Sequence, residues 1–167
     1  RIAQMETEPG ADTVVFVGDG SYLLMNSDIY STVLTGQKII VLVLDNGGFA
    51  VINKLQKNTG NQGFNTLFAN TPTVVAPVAV DFAAHARAMG ALAETVATPT
   101  EFGAAFLRAK AATQTSVIVM QVDAHEGWTE RGHAWWEIGT NQISAQPSIR
   151  AAHAEVEAGR AKQRQGI

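Results

Sequence analysis

Val14-Val15-Phe16-Val17-Gly18-Asp19-Gly20-Ser21 is the stretch on which the fold reading turns. Four β-branched or aromatic residues in a row read as a strand, and Gly-Asp-Gly-Ser is a tight exit from it into a helix. Two further runs share this character: residues 39–44, which end at Asp45-Asn46-Gly47-Gly48, and residues 116–122. Apolar strands without polar alternation imply burial on both faces, the habit of parallel sheets. Residues 73–78 and 92–96 are weaker strand candidates, diluted by Pro77 and by alanines.

Helical patterns lie between these runs. Residues 21–34 put Leu24, Met25, Ile29 and Val33 near one stripe. Asp81 caps a helix over 82–89, which Gly90 stops. Pro99-Thr100 opens a helix reaching 112, with Phe102, Ala105, Phe106 and Ala109 at i, i+3, i+4, i+7. Pro147-Ser148 starts a last helix to about 164, rich in alanine and charge, with much of its surface facing water. Strands alternating with helices predict a doubly wound α/β domain: five or so mostly parallel strands, with helices on both faces. Residues 53–73 are polar and glycine-bearing and read as an irregular surface segment. Residues 128–141 form a second irregular stretch, which holds all three tryptophans.

Composition narrows the function. The chain has 167 residues, 46% hydrophobic and 16% charged, with a formal charge of −3. That fits one domain with a real core and excludes disorder. Twelve Lys+Arg against 15 Asp+Glu argue against a nucleic-acid partner. Zero cysteines exclude a disulfide scaffold, a thiolate zinc site and a cysteine nucleophile, and agree with a reducing cytoplasm. The longest apolar run, residues 39–44, is far short of the ~20 a membrane helix needs, so no membrane partner is expected. No basic-then-apolar leader opens the chain. It begins at Arg1 and reads as a piece of something longer.

The chemistry concentrates at Gly18-Asp19-Gly20-Ser21. Glycines between a strand and a helix let an anion approach backbone N–H groups and the positive helix end. Asp19 would repel a phosphate there unless a cation lay between them, and Mg2+ favours one or two carboxylates with phosphate oxygens. Asn46 ends the next strong strand, 46 − 19 = 27 residues on. One crossover brings the two side chains to the carboxyl ends of adjacent strands, where open α/β sheets bind ligands. Gly47-Gly48 permits an unusual turn whose carbonyl is a third candidate ligand.

This pattern resembles the signature of thiamine-diphosphate enzymes, over roughly residues 13–123, with 124–167 as a C-terminal extension. The resemblance implies that Asp19 and Asn46 give side-chain oxygens to Mg2+ and Gly48 its carbonyl. It further implies that Gly18, Gly20 and Ser21 hold the diphosphate, with Gly48 also at the cofactor and Phe49 lining the thiazolium side. GDGSYLLMNSDI (18–29), LDNGGF (44–49) and GHAWWEIGTNQIS (132–144) look like the trihydroxycyclohexane-dione hydrolase family of inositol breakdown. That likeness implies cleavage of a ring carbon–carbon bond in a cyclic 1,2-dione, releasing 5-deoxyglucuronate. The activating glutamate of such enzymes belongs to a separate domain, which these residues do not contain. The isolated piece is therefore expected to be inactive, and the parent to self-associate as a homo-oligomer. The alternatives are an acetolactate synthase-like carboligase or 2-oxo acid decarboxylase of the same cofactor family, or a Rossmann-like nucleotide-binding module.

Other residues have plainer readings. Tyr22, Leu24 and Met25 read as packing, Asp45 as a strand end, and His85 and His153 as ordinary helical histidines. His125-Glu126 with His133 lacks the HExxH pattern of a zinc site. Trp128, Trp135 and Trp136 read as interdomain or intersubunit packing rather than substrate contacts.

Overall fold

A computed structural model describes residues 7–8, 10–73, 75, 79–125 and 138–163. The chain divides into two compact units, Arg1–Gly48 with Ala76–Asp123, and Phe49–Val75 with Ala124–Ile167.

The first unit is an α/β sandwich. Its elements are β1 (Val14–Gly18), α1 (Asp19–Leu24), α2 (Ser27–Leu34), β2 (Ile40–Asp45), α4 (Phe82–Ala88), β3 (Leu92–Val96), α5 (Pro99–Ala111) and β4 (Ser116–Gln121); α3 belongs to the second unit. Among the described residues four strands lie in the order β1-β2-β4-β3, all parallel. The register sets Gly18 opposite Leu44 and Asp45 opposite Gln121, so the carboxyl ends of β1, β2 and β4 finish level. The two central strands carry the purest apolar runs, and Ile40, Leu42, Val43, Val117 and Ile118 are fully buried. Each such side chain contributes roughly 1.5–3 kcal/mol by leaving water.

Alternation along the strands divides the core. Val41, Val43, Val117 and Val119 face Tyr22, Ile29, Phe82, Ala83 and Ala86 from α1, α2 and α4. Ile40, Leu42 and Ile118 face Ala105 and Ala109 of α5. Helices therefore cover both faces, as the alternating pattern predicts. Start signals are also as read. The Asp81 carboxylate accepts from the Ala84 N–H at 2.8 Å. Thr98 and Glu101 form a capping box ahead of α5, whose first residue is Pro99.

Three details differ from the sequence reading. First, the helix expected over 21–34 is two helices: Met25 leaves the helical region (φ −144°, ψ 62°) and Asn26 starts α2. Of the expected stripe Ile29 is buried, whereas Leu24 and Met25 are exposed, because the break rotates them off the core face. Second, β1 pairs only with β2 among the described residues, and Val15 and Phe16 are exposed despite their hydrophobicity. Third, the opening of the polar 53–73 segment is helical. Most of the expected strand at 73–78 lies outside the described residues.

The second unit contains α3 (Ala50–Asn58), a 3-10 turn (Phe68–Asn70) and α6 (Pro147–Arg160). Its polar stretch is partly interior, with Asn53 and Thr66 buried beside Leu67. The Asn53 Nδ2 donates to Thr66 Oγ1 at 2.9 Å, and Asn70 Oδ1 accepts from the N–H groups of Thr66 and Leu67. Side-chain amides thus take the place of a ladder here, which hydrophobic periodicity cannot reveal. Residues 126–137 are outside the described residues, and with them Glu126, Trp128, His133, Trp135 and Trp136.

Candidate functional site

The site lies at the level carboxyl ends of β1 and β2. β1 ends at Gly18, whose extended backbone (φ −77°, ψ 159°) turns straight into α1. Asp19 and Gly20 are buried, and Ser21 is exposed at the following position. β2 ends at Asp45, and its carbonyl accepts from the Val122 N–H at 2.8 Å. The chain then turns through Asn46, Gly47 (φ +78°) and Gly48 (φ +140°). Both glycine values lie in the region that L side chains avoid, so this turn requires the Gly-Gly pair.

The turn folds Gly48 onto Asp19: the Gly48 N–H donates to Asp19 Oδ2 at 2.6 Å. The Asn46 amide closes the cluster. With its nitrogen inward it donates to Gly48 O at 2.8 Å and to Asp19 Oδ1 at 3.2 Å. With its oxygen inward, three oxygens meet at those separations and repel one another unless a cation lies among them. Neighbouring oxygens in an octahedron with bonds of ~2.1 Å stand about 3.0 Å apart. The donor set is a carboxylate, an amide oxygen and a backbone carbonyl, the hard oxygens that suit such a cation. Among the described residues no three His, Asp or Glu side chains gather as a metal site, so a cation here depends on this mixed set.

Electrostatics agree. Burial pushes the Asp19 carboxyl above the usual carboxylate range, and the charge and hydrogen bonding of Asp45 add to the rise; N–H groups of Gly20 and Gly48 oppose it. Two carboxylates beside a buried position are a strained arrangement that a cation relieves. Asp45 thus does more than end its strand: besides meeting Asp19, it accepts from the Gly47 N–H at 3.2 Å. Its place next to Asn46 was the only sign of this in the sequence.

The structure therefore brings Asp19, Asn46 and Gly48 together, with Gly18 and Gly20 in the same turn and Ser21 at its open side. Phe49 follows Gly48 in the chain and opens α3, its N–H donating to the Thr66 carbonyl at 2.6 Å and its ring 43% exposed.

Residues 2–120 match the family described as thiamine pyrophosphate enzyme, C-terminal TPP binding domain. Among curated proteins, the chain is 30% identical over 152 residues to 3D-(3,5/4)-trihydroxycyclohexane-1,2-dione hydrolase of Lacticaseibacillus casei, covering 91% of this chain and 23% of that protein. It is 32% identical over 151 residues to the protein of that name from Bacillus cereus (strain AH820), covering 87% of this chain and 23% of the relative. The chain thus spans less than a quarter of the curated relatives it matches. Among solved structures, benzoylformate decarboxylase from Polynucleobacter necessarius shares the fold at a TM-score of 0.60 and 24% identity, over 74% of this chain and 22% of that one. A Rhodococcus jostii RHA1 thiamine diphosphate-dependent 4-hydroxybenzoylformate decarboxylase aligns at a TM-score of 0.58 and 25% identity, over 71% of this chain and 21% of that one.

Proposed function

The chain belongs to the thiamine pyrophosphate enzymes as their C-terminal cofactor-binding domain, and on that premise we propose that it holds thiamine diphosphate through Mg2+ in a hydrolase of a cyclic 1,2-dione. The observation that carries the reading is the meeting of Asp19, the Asn46 amide and the Gly48 carbonyl at adjacent strand ends. The hydrolase names of the curated relatives support the substrate class, trihydroxycyclohexane-1,2-dione, and with it a role in inositol breakdown.

In this reading Asp19, Asn46 and Gly48 hold Mg2+ by oxygen. The backbone N–H groups and small volume of Gly18 and Gly20, with the exposed Ser21 hydroxyl, receive the diphosphate. α1 has only six residues, so its own dipole adds little and the cation carries most of the anion's attraction. Gly48 leaves room beside the cofactor, and Phe49 offers it an aromatic face. When bound, thiamine diphosphate supplies the carbanion chemistry. This chain contributes the fixed seat, burying Asp19 away from competing water and aligning the Asn46 amide.

Leu23, Leu24 and Met25 form an exposed apolar run directly after the site turn. A run of that kind supports a protein contact, and self-association is the form we assign to it. The cysteine-free sequence supports a cytoplasmic setting; among the described residues no helix is long and apolar enough to cross a membrane.

The test uses the purified full-length parent protein with Mg2+ and thiamine diphosphate, assayed on the cyclic dione, pyruvate and benzoylformate. Turnover of the dione, lost in Asp19→Ala together with cofactor retention, supports the reading. Turnover of only a 2-oxo acid moves the chain to the carboligase or decarboxylase branch. Undiminished cofactor content and rate in Asp19→Ala overturn the metal assignment.

A further inference from the structure

We propose that Tyr22 and His85 are positioning residues for the cation seat, setting the direction of the Asp19 carboxylate; the inference rests on the reading of that seat given above. α1 is too short to hold its own register. It spans six residues, has no side-chain cap at Gly18 and ends in a non-helical Met25. Ser21, Leu23 and Leu24 are exposed. The ring of Tyr22 is the one large side chain of α1 that enters the core, and it is 3% exposed.

That ring is held at three points. Phe82 meets it edge-on at 5.3 Å and 86°, and His85 at 5.7 Å and 76°. The Tyr22 hydroxyl stands 3.0 Å from His85 Nδ1. Burial pushes the Tyr22 pKa up to about 12, so the phenol keeps its proton and stays a neutral hydrogen-bonding partner of the imidazole. Phe82 and His85 share α4, itself fixed by the Asp81 cap and by buried Phe82, Ala83 and Ala86. Tyr22 follows Asp19 by three residues, and i, i+3 positions share one helix face. Fixing the Tyr22 ring against α4 therefore fixes the rotation of α1 about its axis and the aim of Asp19 toward Gly48 and Asn46. A turn free to rotate would keep the fold and lose the seat.

The experiment titrates Mg2+ into the purified protein with thiamine diphosphate by calorimetry and measures melting without metal in parallel. The variants are Tyr22→Phe, which keeps the ring and removes the hydroxyl, His85→Leu, which removes the polar partner, and His85→Asn, which returns an amide able to accept or donate near the Nδ1 position. Tyr22→Phe and His85→Leu are each expected to weaken Mg2+ binding about two- to ten-fold, the weight of one hydrogen bond. The double variant should lose no more than either single one, because both remove the same contact. His85→Asn should restore the constant. A Mg2+ constant unmoved in both single variants, whatever their melting points, overturns the inference and leaves the cation seat standing. Losses that add in the double variant overturn it as well. A wild-type protein that binds no Mg2+ overturns the inference together with the reading beneath it.

Discussion

Wild type and the Asp19→Asn variant should exchange their order of stability between metal-free and metal-loaded protein. Asp19 is 2% exposed, and its pKa is raised from 3.8 by burial first and by Asp45 second. Between 3.8 and that raised value the folded chain binds more protons than the unfolded one. Stability therefore falls as pH rises through the window and stays lower above it. A neutral amide at this position carries no such load: its oxygen still accepts the Gly48 N–H, and its own N–H groups turn to Asp45. In EDTA at pH 8 the Asp19→Asn protein should melt at or above the wild type, and the difference should vanish below pH 3.8. Adding Mg2+ and thiamine diphosphate to ~100 times the dissociation constant should stabilise the wild type by about 2.7 kcal/mol, roughly 5–11 °C for a chain of this size. The variant, lacking the anionic ligand, should gain little. Scanning calorimetry with and without metal reads both halves. A variant that melts below wild type in EDTA at pH 8, or that gains as much from Mg2+, would refute the reasoning.

Other expectations concern the frame. Gly60 has φ +81°, and an added Cβ would stand 2.4 Å from the Ser148 carbonyl oxygen and 2.9 Å from Ile149 Cα. Gly60→Ala should cost about 2–5 kcal/mol, overpacking and left-handed strain together, and a loss under ~1 kcal/mol in urea unfolding would count against the packing described. Ile118→Ala, in the centre of β4, should cost about 2–5 kcal/mol in the same assay; a change under ~1 kcal/mol would mean the strand is not central. Leu24→Ser, on an exposed residue, should move monomer stability by less than ~0.5 kcal/mol while shifting sedimentation toward smaller species. Unaltered sedimentation would remove Leu24 from any subunit contact.

The site and the frame were unequally legible in the sequence. Residues 39–44 and 116–122 are apolar without a break, since the central strands are covered on both sides. Asp81 and Pro99 announced their helices because a cap acts through its nearest neighbours in the chain. Asp19 and Asn46 could be paired from spacing, one crossover being enough to set them at adjacent strand ends. Leu24 and Met25 misled, because the break at Met25 depends on the turn of a short helix and not on composition. α3 was missed because its buried face carries Asn53, held by Thr66 across 13 residues. The Asp19–Asp45 contact and the Tyr22–His85 bond join residues 26 and 63 positions apart, and no local pattern encodes either.

The most direct measurement is diffraction from crystals of the protein grown with thiamine diphosphate and Mn2+, an anomalous scatterer in place of Mg2+. The expected result is one anomalous peak bonded to the Asp19 carboxylate, the Asn46 amide oxygen and the Gly48 carbonyl, and shared with the diphosphate. Bound cofactor with the peak touching none of those three oxygens would contradict it.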